Sequence, residues 1–329
     1  MMWRLLLALS AFGCSSALFA QTATTQMQAV SGPAEVDKTT QTEDVKFRTE
    51  AFDRMTVPVR LSGTGPYRFL VDTGADRTAI SRQLAAQLKL VRGEPAELHS
   101  VVGVSTVSTA TVPSLQLTHN PIRIVDAPLL DQVNMGADGI LGVDSLRSQR
   151  VTFDFTAQTM SIVPSATRDF ADEPGTIVVQ ANRRNGRLVV TDATANETQL
   201  TVVLDTGSQV SIGNLALRDR LLRDNFVSEG QEVELQSVTG ETIKGEFMFV
   251  RELEIGGVTL KNLVVVFADA HTFKQLKLDR KPALLLGMNA MRAFKKVSID
   301  FASQRLRVVV PEHSAADVQM ANTGSRKTT

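Results

Sequence analysis

The sequence contains very little cysteine: Cys14 is the only one among 329 residues. It lies inside an N-terminal segment that resembles a secretion signal, so a chain cut after Ala20 would contain no thiol. This excludes disulfide bonds, cysteine nucleophiles and cysteine metal sites from such a mature chain. Histidines are also few, and none forms the i, i+4 pair that places two metal ligands on one helix face. We therefore expect no metal site.

The sequence has no excess of either charge, because 35 Lys and Arg residues balance 35 Asp and Glu residues. No net field would draw the protein to nucleic acid, and we expect no nucleic-acid partner. The glycine-rich segments 63–65 and 136–142 lack the Lys-Ser/Thr of a phosphate-binding loop, so we expect no nucleotide and no other cofactor.

Residues 1–20 have the pattern of a secretory signal peptide, with Arg4 ahead of an apolar run from Leu5 to Phe12. No later stretch approaches the roughly 20 apolar residues that cross a bilayer. We expect an exported protein, with the periplasm favoured and a secreted or lipid-anchored form as alternatives. Phe12 is bulky for a lipoprotein signal, and membrane attachment is expected only if Cys14 is lipidated.

The two ends of the remaining chain have few large apolar side chains. Residues 21–46 are rich in Gln, Thr, Ala and Ser, and residues 312–329 have no apolar periodicity. Such compositions cannot offset the entropy lost on ordering. We predict a disordered linker at 21–46 and a disordered tail at 312–329. Composition does not decide whether 21–46 is a tether or an inhibitory propeptide.

Between these ends the chain repeats three motifs in the same order. Asp-Thr-Gly begins at Asp72 and at Asp205, a separation of 205 − 72 = 133 residues. An apolar-apolar-Gly motif ends at Gly142 and at Gly287, a separation of 287 − 142 = 145 residues. Two apolar segments then align without gaps, 151–163 with 297–309. The repeat predicts two homologous lobes. The larger second separation places an insertion in the polar stretch 269–282.

Each half has the apolar patterning of β-strands, by alternation or by β-branched residues. The predicted strands include 56–61, 151–163, 201–205 and 297–309. One helix per half is predicted soon after the Asp, over 81–90 with Ser81 as N-cap and over 214–222 with Asn214 as N-cap, and a short helix after each apolar-apolar-Gly motif. We predict an all-β protein with short accessory helices, an N-terminal lobe at 47–165 and a C-terminal lobe at 174–311.

The duplicated Asp-Thr-Gly is the strongest functional signal. One copy after an apolar strand is usually a turn, but two copies with matching downstream motifs indicate one shared site. If a pseudo-twofold axis relates the lobes, Asp72 and Asp205 meet at that axis. Two touching carboxylates share one proton, because both cannot ionise cheaply. One would then activate water as a general base while the other donates a hydrogen bond to the developing oxyanion.

The residues beside the two Asp have predicted supporting roles. Gly74 and Gly207 lack a β-carbon and permit close approach of two backbones. The hydroxyls of Thr73 and Thr206 are expected to reach backbone groups of the opposite loop.

The position after each glycine breaks the symmetry of the repeat. Ser208 is expected to donate a hydrogen bond to Asp205 and favour its charged form, whereas Ala75 offers Asp72 no hydroxyl. On this argument Asp205 is the more acidic member of the pair.

These motifs resemble those of the retropepsin-like aspartic peptidases, in particular exported bacterial relatives with two lobes in one chain. FLVDTGADRTAI (69–80) is similar to the active-site strand and loop of that family, and GADGILG and LLLG are similar to its supporting motif. The resemblance spans about residues 50–311. It implies two closed β-barrel lobes, a cleft for an extended peptide and Asp72 and Asp205 as catalytic residues. The single tyrosine, Tyr67, is not placed as a pepsin flap tyrosine would be.

The family also implies β-hairpin flaps over the cleft. By position the candidates are the segments around Gly103, 103 − 72 = 31 residues after the first Asp, and Gly240, 240 − 205 = 35 residues after the second. An ordinary surface hairpin would have the same composition.

The predicted function is that of an aspartic endopeptidase with a protein or peptide substrate. Because both lobes belong to one chain, we expect a monomer. The alternative is a catalytically silent module that binds peptides or senses envelope proteins through the same cleft. A purely structural two-lobed protein would leave the duplicated Asp-Thr-Gly unexplained.

Overall fold

The computed structural model describes residues 25–27, 45–46, 48–49, 55–117, 122–167, 173–184, 186–224 and 230–311. The predicted signal peptide and the predicted tail 312–329 lie outside the described residues. No helix within the described ranges is long and apolar enough to cross a membrane.

The described residues form mostly short strands. They are β1 (Thr25–Met27), β2 (Val45–Lys46), β3 (Arg48–Thr49), β4 (Met55–Leu61), β5 (Thr64–Val71), β6 (Ala79–Ser81), β7 (Val91–Ser100), β8 (Val104–Gln116), β9 (Ile122–Leu130), β10 (Gly139–Leu141), β11 (Gln149–Asp154), β12 (Thr159–Pro164), β13 (Thr176–Gln180), β14 (Asn182–Arg184), β15 (Arg187–Val190), β16 (Ala193–Ala195), β17 (Thr198–Gln199), β18 (Thr201–Leu204), β19 (Ser211–Gly213), β20 (Gln231–Gln236), β21 (Thr242–Ile255), β22 (Val258–Phe267), β23 (Ala283–Leu286), β24 (Lys296–Asp300) and β25 (Arg305–Val309). The helices are α1 (Arg82–Gln87), α2 (Gln132–Met135), α3 (Val143–Leu146), α4 (Leu215–Arg223), α5 (His271–Gln275) and α6 (Met288–Met291).

The N-terminal lobe is built on a nine-stranded sheet in the order β1-β7-β8-β9-β6-β10-β5-β4-β3. An additional pairing of β8 with β4 joins the two sides of this sheet into a barrel-like ring. Closure leaves no unpaired edge among the ring strands, so their backbone groups are satisfied within the lobe.

The C-terminal lobe repeats this strand order. Its sheet runs β14-β15-β18-β23-β19-β22-β21-β16-β17, with β20 on β21. The seven strands β20-β21-β22-β19-β23-β18-β15 therefore follow the same order as β7-β8-β9-β6-β10-β5-β4. The internal repeat of the sequence is thus a repeat of topology, and both lobes are all-β domains with the same strand order. No pairing that closes a ring is found in the described part of this second lobe.

A six-stranded sheet joins the lobes, in the order β13-β25-β24-β11-β12-β2. At its centre β11 and β24 pair antiparallel, with Thr152 opposite Ser298. These two residues hold equivalent positions in the aligned segments 151–163 and 297–309, and their hydroxyls are 3.2 Å apart in a hydrogen bond. The pseudo-twofold axis therefore passes between them, and the apolar segments repeat because they pair with each other.

The helices begin where their sequences predict. Ser81 Oγ accepts a hydrogen bond from the backbone N–H of Leu84 at 3.0 Å, and Asn214 Oδ1 accepts one from Leu217 at 2.9 Å. Both are N-cap interactions that satisfy an otherwise unpaired donor. Short helices α3 and α6 follow Gly142 and Gly287 as predicted. The inserted stretch 269–282 contains α5, a helix that the sequence did not predict.

The main hydrophobic core runs through both lobes and the joining sheet, from Met55 to Val310. Two short strands fall within the predicted linker 21–46, where β1 pairs with β7 and β2 pairs with β12. Strand pairing with a preformed edge can order a segment whose own composition would not. Its remaining residues lie outside the described part of the chain.

Candidate active site

Each Asp-Thr-Gly loop starts at the end of a buried strand. β5 pairs parallel with β10, and β18 pairs parallel with β23. The backbone N–H of Asp72 continues the first ladder by donating to Leu141 O at 3.0 Å, and that of Asp205 donates to Leu286 O at 3.1 Å. The apolar-apolar-Gly motif therefore holds the Asp-Thr-Gly loop of its own lobe through backbone hydrogen bonds.

The two threonines lock the loops together across the lobe boundary. Thr73 Oγ1 donates to Leu204 O at 3.0 Å and accepts from the N–H of Thr206 at 3.0 Å. Reciprocally, Thr206 Oγ1 donates to Val71 O at 2.8 Å and accepts from the N–H of Thr73 at 3.0 Å. Each hydroxyl thus satisfies one buried acceptor and one buried donor of the other lobe. This is the arrangement that the sequence predicted.

The two carboxylates lie side by side at the axis, each against the glycine of the opposite loop. A β-carbon on Gly74 would lie 2.7 Å from Oδ1 of Asp205, and one on Gly207 would overlap the carboxylate of Asp72. Any larger residue would push a carboxylate away from the axis. Both aspartates are 1% exposed.

Burial raises the pKa of Asp72 well above its usual value, and the negative charge of Asp205 raises it further. Backbone hydrogen bonds oppose this rise, since Asp72 Oδ1 accepts from the N–H groups of Gly74 and Ala75 at 2.8 and 3.0 Å. Asp205 Oδ1 accepts from the N–H of Gly207 at 3.1 Å. The site therefore favours a pair of carboxyl groups that together hold one proton.

The predicted role of Ser208 is wrong. Its hydroxyl donates to Val210 O at 2.8 Å and does not serve Asp205. The turn after Gly207 brings that carbonyl within reach, and a local backbone acceptor satisfies the hydroxyl. Ser208 O and Ala75 O each accept a hydrogen bond at 2.8 Å, from the N–H groups of Met288 and Val143 respectively. Both residues thus support the loops through their backbone.

A polar pair braces each loop against the helix that follows the glycine motif. In the N-terminal lobe, Thr78 donates through N–H and hydroxyl to Asp144 Oδ1, at 2.9 and 2.7 Å. In the C-terminal lobe, Ser211 donates the same two hydrogen bonds to Asn289 Oδ1, both at 2.9 Å. Burial raises the pKa of Asp144. The sequence analysis did not identify these braces, although they fall at matching positions of the repeat.

An ion pair between the two lobes supports the first Asp-Thr-Gly loop. Arg187, at the start of β15, is 1% exposed and donates from Nε to Gly74 O at 3.0 Å. Its Nη2 lies 3.1 Å from Oδ2 of Asp76, which is 5% exposed. Burial raises the pKa of Asp76 to about 6, although the charge of Arg187 acts to lower it. At the position of Asp76 the second loop has Gln209, so sequence symmetry could not indicate this pair.

Both flap candidates lie at tips of β-hairpins. Gly103 is in the turn between β7 and β8, where the N–H of Ser100 donates to Gly103 O at 2.8 Å. Gly240 has a φ of 89° in the turn between β20 and β21. We name these hairpins the N-flap and the C-flap. Their tips approach each other, with Ser105 Oγ donating to Glu241 Oε2 at 3.5 Å.

The tip of each flap is buried against the opposite lobe. Val101 of the N-flap is fully buried in an apolar cluster whose other buried members belong to the C-terminal lobe. Val238 of the C-flap is fully buried in a cluster whose other buried members belong to the N-terminal lobe. A second contact fixes the N-flap, because His99 Nδ1 and His271 Nε2 are 2.9 Å apart and their rings stack. The sequence gave no signal for these contacts.

Within the described ranges, no group of three or more His, Cys, Asp and Glu side chains is arranged to hold a metal ion. The chemistry on offer is that of two adjacent, buried carboxyl groups that together hold one proton.

Comparison with protein families agrees with this geometry in both lobes. A sequence model of the gag-polyprotein aspartyl protease family matches residues 57–148, and one described as aspartyl protease matches residues 191–290. Each match contains one Asp-Thr-Gly loop and one apolar-apolar-Gly motif. No protein with a curated description matches the chain. The chain therefore consists of two aspartyl protease domains in one polypeptide, as in a retropepsin-like protease with two lobes.

Proposed function

We propose that the protein is an aspartic endopeptidase that hydrolyses peptide bonds of an extended polypeptide in the cleft between its lobes. One observation carries the proposal: the carboxylates of Asp72 and Asp205 are buried side by side on the pseudo-twofold axis, each against the opposite glycine. Such a pair can supply a base and an acid at the same bond.

In this mechanism Asp205 acts as the base and Asp72 as the acid. The ionised Asp205 takes a proton from water while the water oxygen bonds to the scissile carbonyl carbon. Asp72 donates its hydrogen bond to the carbonyl oxygen as negative charge develops there. Asp205 then passes the proton that it took from water to the amide nitrogen, the C–N bond breaks with release of the amine and the carboxylic acid, and the pair returns to one shared proton. The threonine lock holds the two carboxylates in place throughout.

We further propose that the protein acts as an exported monomer. The N-terminal segment supports export, with the periplasm as the favoured location. The shared sheet and the reciprocal threonine contacts support a monomer, since one chain supplies both halves of the site.

The test is cleavage of a diverse peptide pool between about pH 4 and pH 8 by residues 21–329. Asp72→Asn and Asp205→Asn should each abolish cleavage. Asp192→Asn is the matched control, because Asp192 is an exposed residue of the C-terminal lobe and should tolerate the same change.

If the parent chain folds and binds peptides without cutting them, the endopeptidase proposal is wrong and a silent peptide-binding module takes its place. If cleavage persists in both Asp variants, it comes from a contaminant and the dyad has no catalytic role. Activity restricted to a dimeric fraction on size-exclusion chromatography would contradict the monomer.

A further inference from the structure

A groove with a volume of about 790 Å³ lies in the C-terminal lobe, between β22 and the segment 289–294 that begins in α6. All of the residues 258–264 of β22 line this groove. Successive side chains of a strand point to opposite faces, so a groove that contacts all of them follows the edge of the strand. We name it the edge groove.

The edge of β22 in this groove has unpaired backbone groups. β22 pairs with β21 on one side, and on the other side it pairs with β19 only from Val265 onward. Glu252, opposite Lys261, directs its N–H and its C=O to Asn196 on the far side of β21, at 2.9 Å each. Two opposite residues that do not bond to each other in an antiparallel ladder point their groups outward. The backbone groups of Lys261, and of Thr259 two positions earlier, therefore point into the edge groove, where no described strand pairs with them.

The edge groove has apolar walls and reaches the second Asp-Thr-Gly loop. Leu260 and Phe294 line it, as do Val210 of the loop and Asn289 of α6. Asn289 braces that loop by accepting both hydrogen bonds from Ser211. An occupant of the groove would therefore contact the support of the second loop.

The chain itself leads into the edge groove. Val310 and Pro311 line it and are the last residues that the structure describes. The sequence continues for 329 − 311 = 18 residues beyond this point, all outside the described part of the chain. A strand rises about 3.3 Å per residue, so the edge at 259–261 is only about 10 Å long. Eighteen residues are enough to turn and to cover it.

The composition of this segment permits pairing with a strand edge. Residues 312–323 contain no proline and no glycine, so each of them can donate a backbone N–H. Val318 and Met320 are the only large apolar residues of 312–329. Two positions apart in a strand, they would share one face.

We propose that the edge groove is the docking site of the segment around Val318 and Met320 of the same chain, which adds to β22 as a further strand. Hydrogen bonds to the backbone of Thr259 and Lys261 supply the pairing, so no regular apolar repeat is required. The two apolar side chains cover the groove walls. Because the segment is tethered beside the groove, pairing is intramolecular and needs less binding energy than a free peptide. It also removes an exposed edge that would otherwise template association between chains.

Hydrogen exchange of residues 21–329, followed by NMR, tests whether the edge is covered. The amides of Thr259 and Lys261 should be protected in the parent chain. Val318→Asp with Met320→Asp should make both exchange about tenfold faster, while the amide of Leu260, which faces β21, stays unchanged. The matched control is Thr328→Asp with Thr329→Asp, which adds the same charge to the same segment. Free exchange of Thr259 and Lys261 in the parent, or equal exchange in the two double variants, would overturn the proposal.

A nitroxide label identifies the occupant. Residues 21–329 contain no cysteine, so Gln319→Cys provides a single labelling site between Val318 and Met320. The label should broaden the amide signal of Thr259 in its own chain. Lys261→Pro should abolish this broadening, because proline removes the outward N–H, and Lys261→Ala should retain it. The variants at 318 and 320 leave every described residue intact, so they decide the result if Lys261→Pro does not fold.

Mixing distinguishes the tail of the same molecule from a second copy. Isotope-labelled chains without nitroxide are combined with nitroxide-labelled chains without isotope, and only contacts between molecules can then broaden a signal. Broadening of Thr259 in this mixture would assign the edge groove to a second copy. Protection of Thr259 without broadening from the label in its own chain would assign it to a different occupant. Either result would overturn the proposal, and neither measurement depends on peptide cleavage.

Discussion

At the scale of single residues, the buried carboxyl group of Asp72 is expected to destabilise the fold at neutral pH. Its pKa in the folded protein is raised by burial and by Asp205, so the folded state binds its proton more tightly than the unfolded state does. The contribution of this group to stability is therefore greatest at low pH and falls as the pH rises above its unfolded value near 3.8. The proposed catalytic role of Asp72 and the stability of the fold therefore place opposite demands on this residue.

Asp72→Asn should consequently raise the melting temperature at pH 8, by on the order of 5 °C, because the variant folds without taking up the proton that the buried pair holds. The difference from the parent should shrink toward zero at pH 4, where Asp72 is protonated. Calorimetry at the two pH values measures this, with Asp192→Asn as the control. An increase in melting temperature that is the same at both pH values would show that the titration of Asp72 does not cause it.

The hydroxyl of Thr73 should matter more than its methyl group. Thr73→Val keeps the shape of the side chain but leaves Leu204 O and the N–H of Thr206 without their partner. Two orphaned buried groups should lower the free energy of unfolding by about 2–4 kcal/mol and reduce kcat more than they raise KM. Urea unfolding and steady-state kinetics test this. Thr73→Ser, which retains the hydroxyl, should stay close to the parent in both measurements.

At the scale of secondary-structure elements, the N-flap should be sensitive to acid through its contact with α5. Burial and the neighbouring His99 lower the pKa of His271, and Lys274 lowers it further while Asp269 acts to raise it. A histidine whose pKa is lowered on folding contributes stability that is present above its unfolded value of about 6.5 and is lost as the pH falls toward the folded value.

Acidification from about pH 7 to pH 5 should therefore release the N-flap, because protonation of His271 places a positive charge at Nε2, 2.9 Å from Nδ1 of His99. The measurement is hydrogen exchange of the segment 99–103 at the two pH values, corrected for the intrinsic rate. His271→Asn should abolish most of the difference while the C-flap, whose tip has no such histidine pair, remains as an internal control. Equal pH dependence of both flaps would rule out the histidine pair as the cause.

Short elements also show how far local patterns extend. Strands β4, β11 and β24 and the two capped helices α1 and α4 follow from apolar alternation and from Ser81 and Asn214. The sequence does not predict helix α5, because the inserted stretch 269–282 is mostly polar. Phe273 of this helix becomes buried only by packing in the apolar cluster that also contains Val101 and Val203. A short helix of this kind is stabilised by tertiary packing more than by propensity.

At the scale of the whole molecule, the buried pair of Arg187 and Asp76 links the C-terminal lobe to the first Asp-Thr-Gly loop. Arg187→Met should lower the free energy of unfolding by about 3–5 kcal/mol at pH 8, because it leaves the charge of Asp76 buried without its partner. With a pKa of about 6 in the parent, Asp76 is protonated at pH 4, so the loss should be smaller there.

The double variant Arg187→Met with Asp76→Asn should recover part of the stability at pH 8 and remove most of its pH dependence. Urea unfolding at pH 4 and pH 8 gives both quantities. If the double variant is no more stable than Arg187→Met alone, the hydrogen bond from Arg187 to Gly74 O, and not the ion pair, carries the stabilisation.

The sequence by itself determined the repeat, the two Asp-Thr-Gly loops, the strand-rich lobes and the placement of Asp72 beside Asp205. These features are local or duplicated: a strand shows its buried face by alternation, and a second copy of a motif reveals symmetry. The threonine lock followed from the same symmetry, since a twofold axis that joins the loops also joins Thr73 to Thr206.

Only the tertiary structure decided the partners that lack a symmetric counterpart. Ser208 donates to the carbonyl of Val210, and Arg187 pairs with Asp76, where the second loop has Gln209. Val101 and Val238 are each buried in the lobe opposite their own. Each of these contacts depends on how two finished surfaces meet. The alternation of a strand specifies that a residue is buried, but the packing of the two lobes decides which residues it contacts.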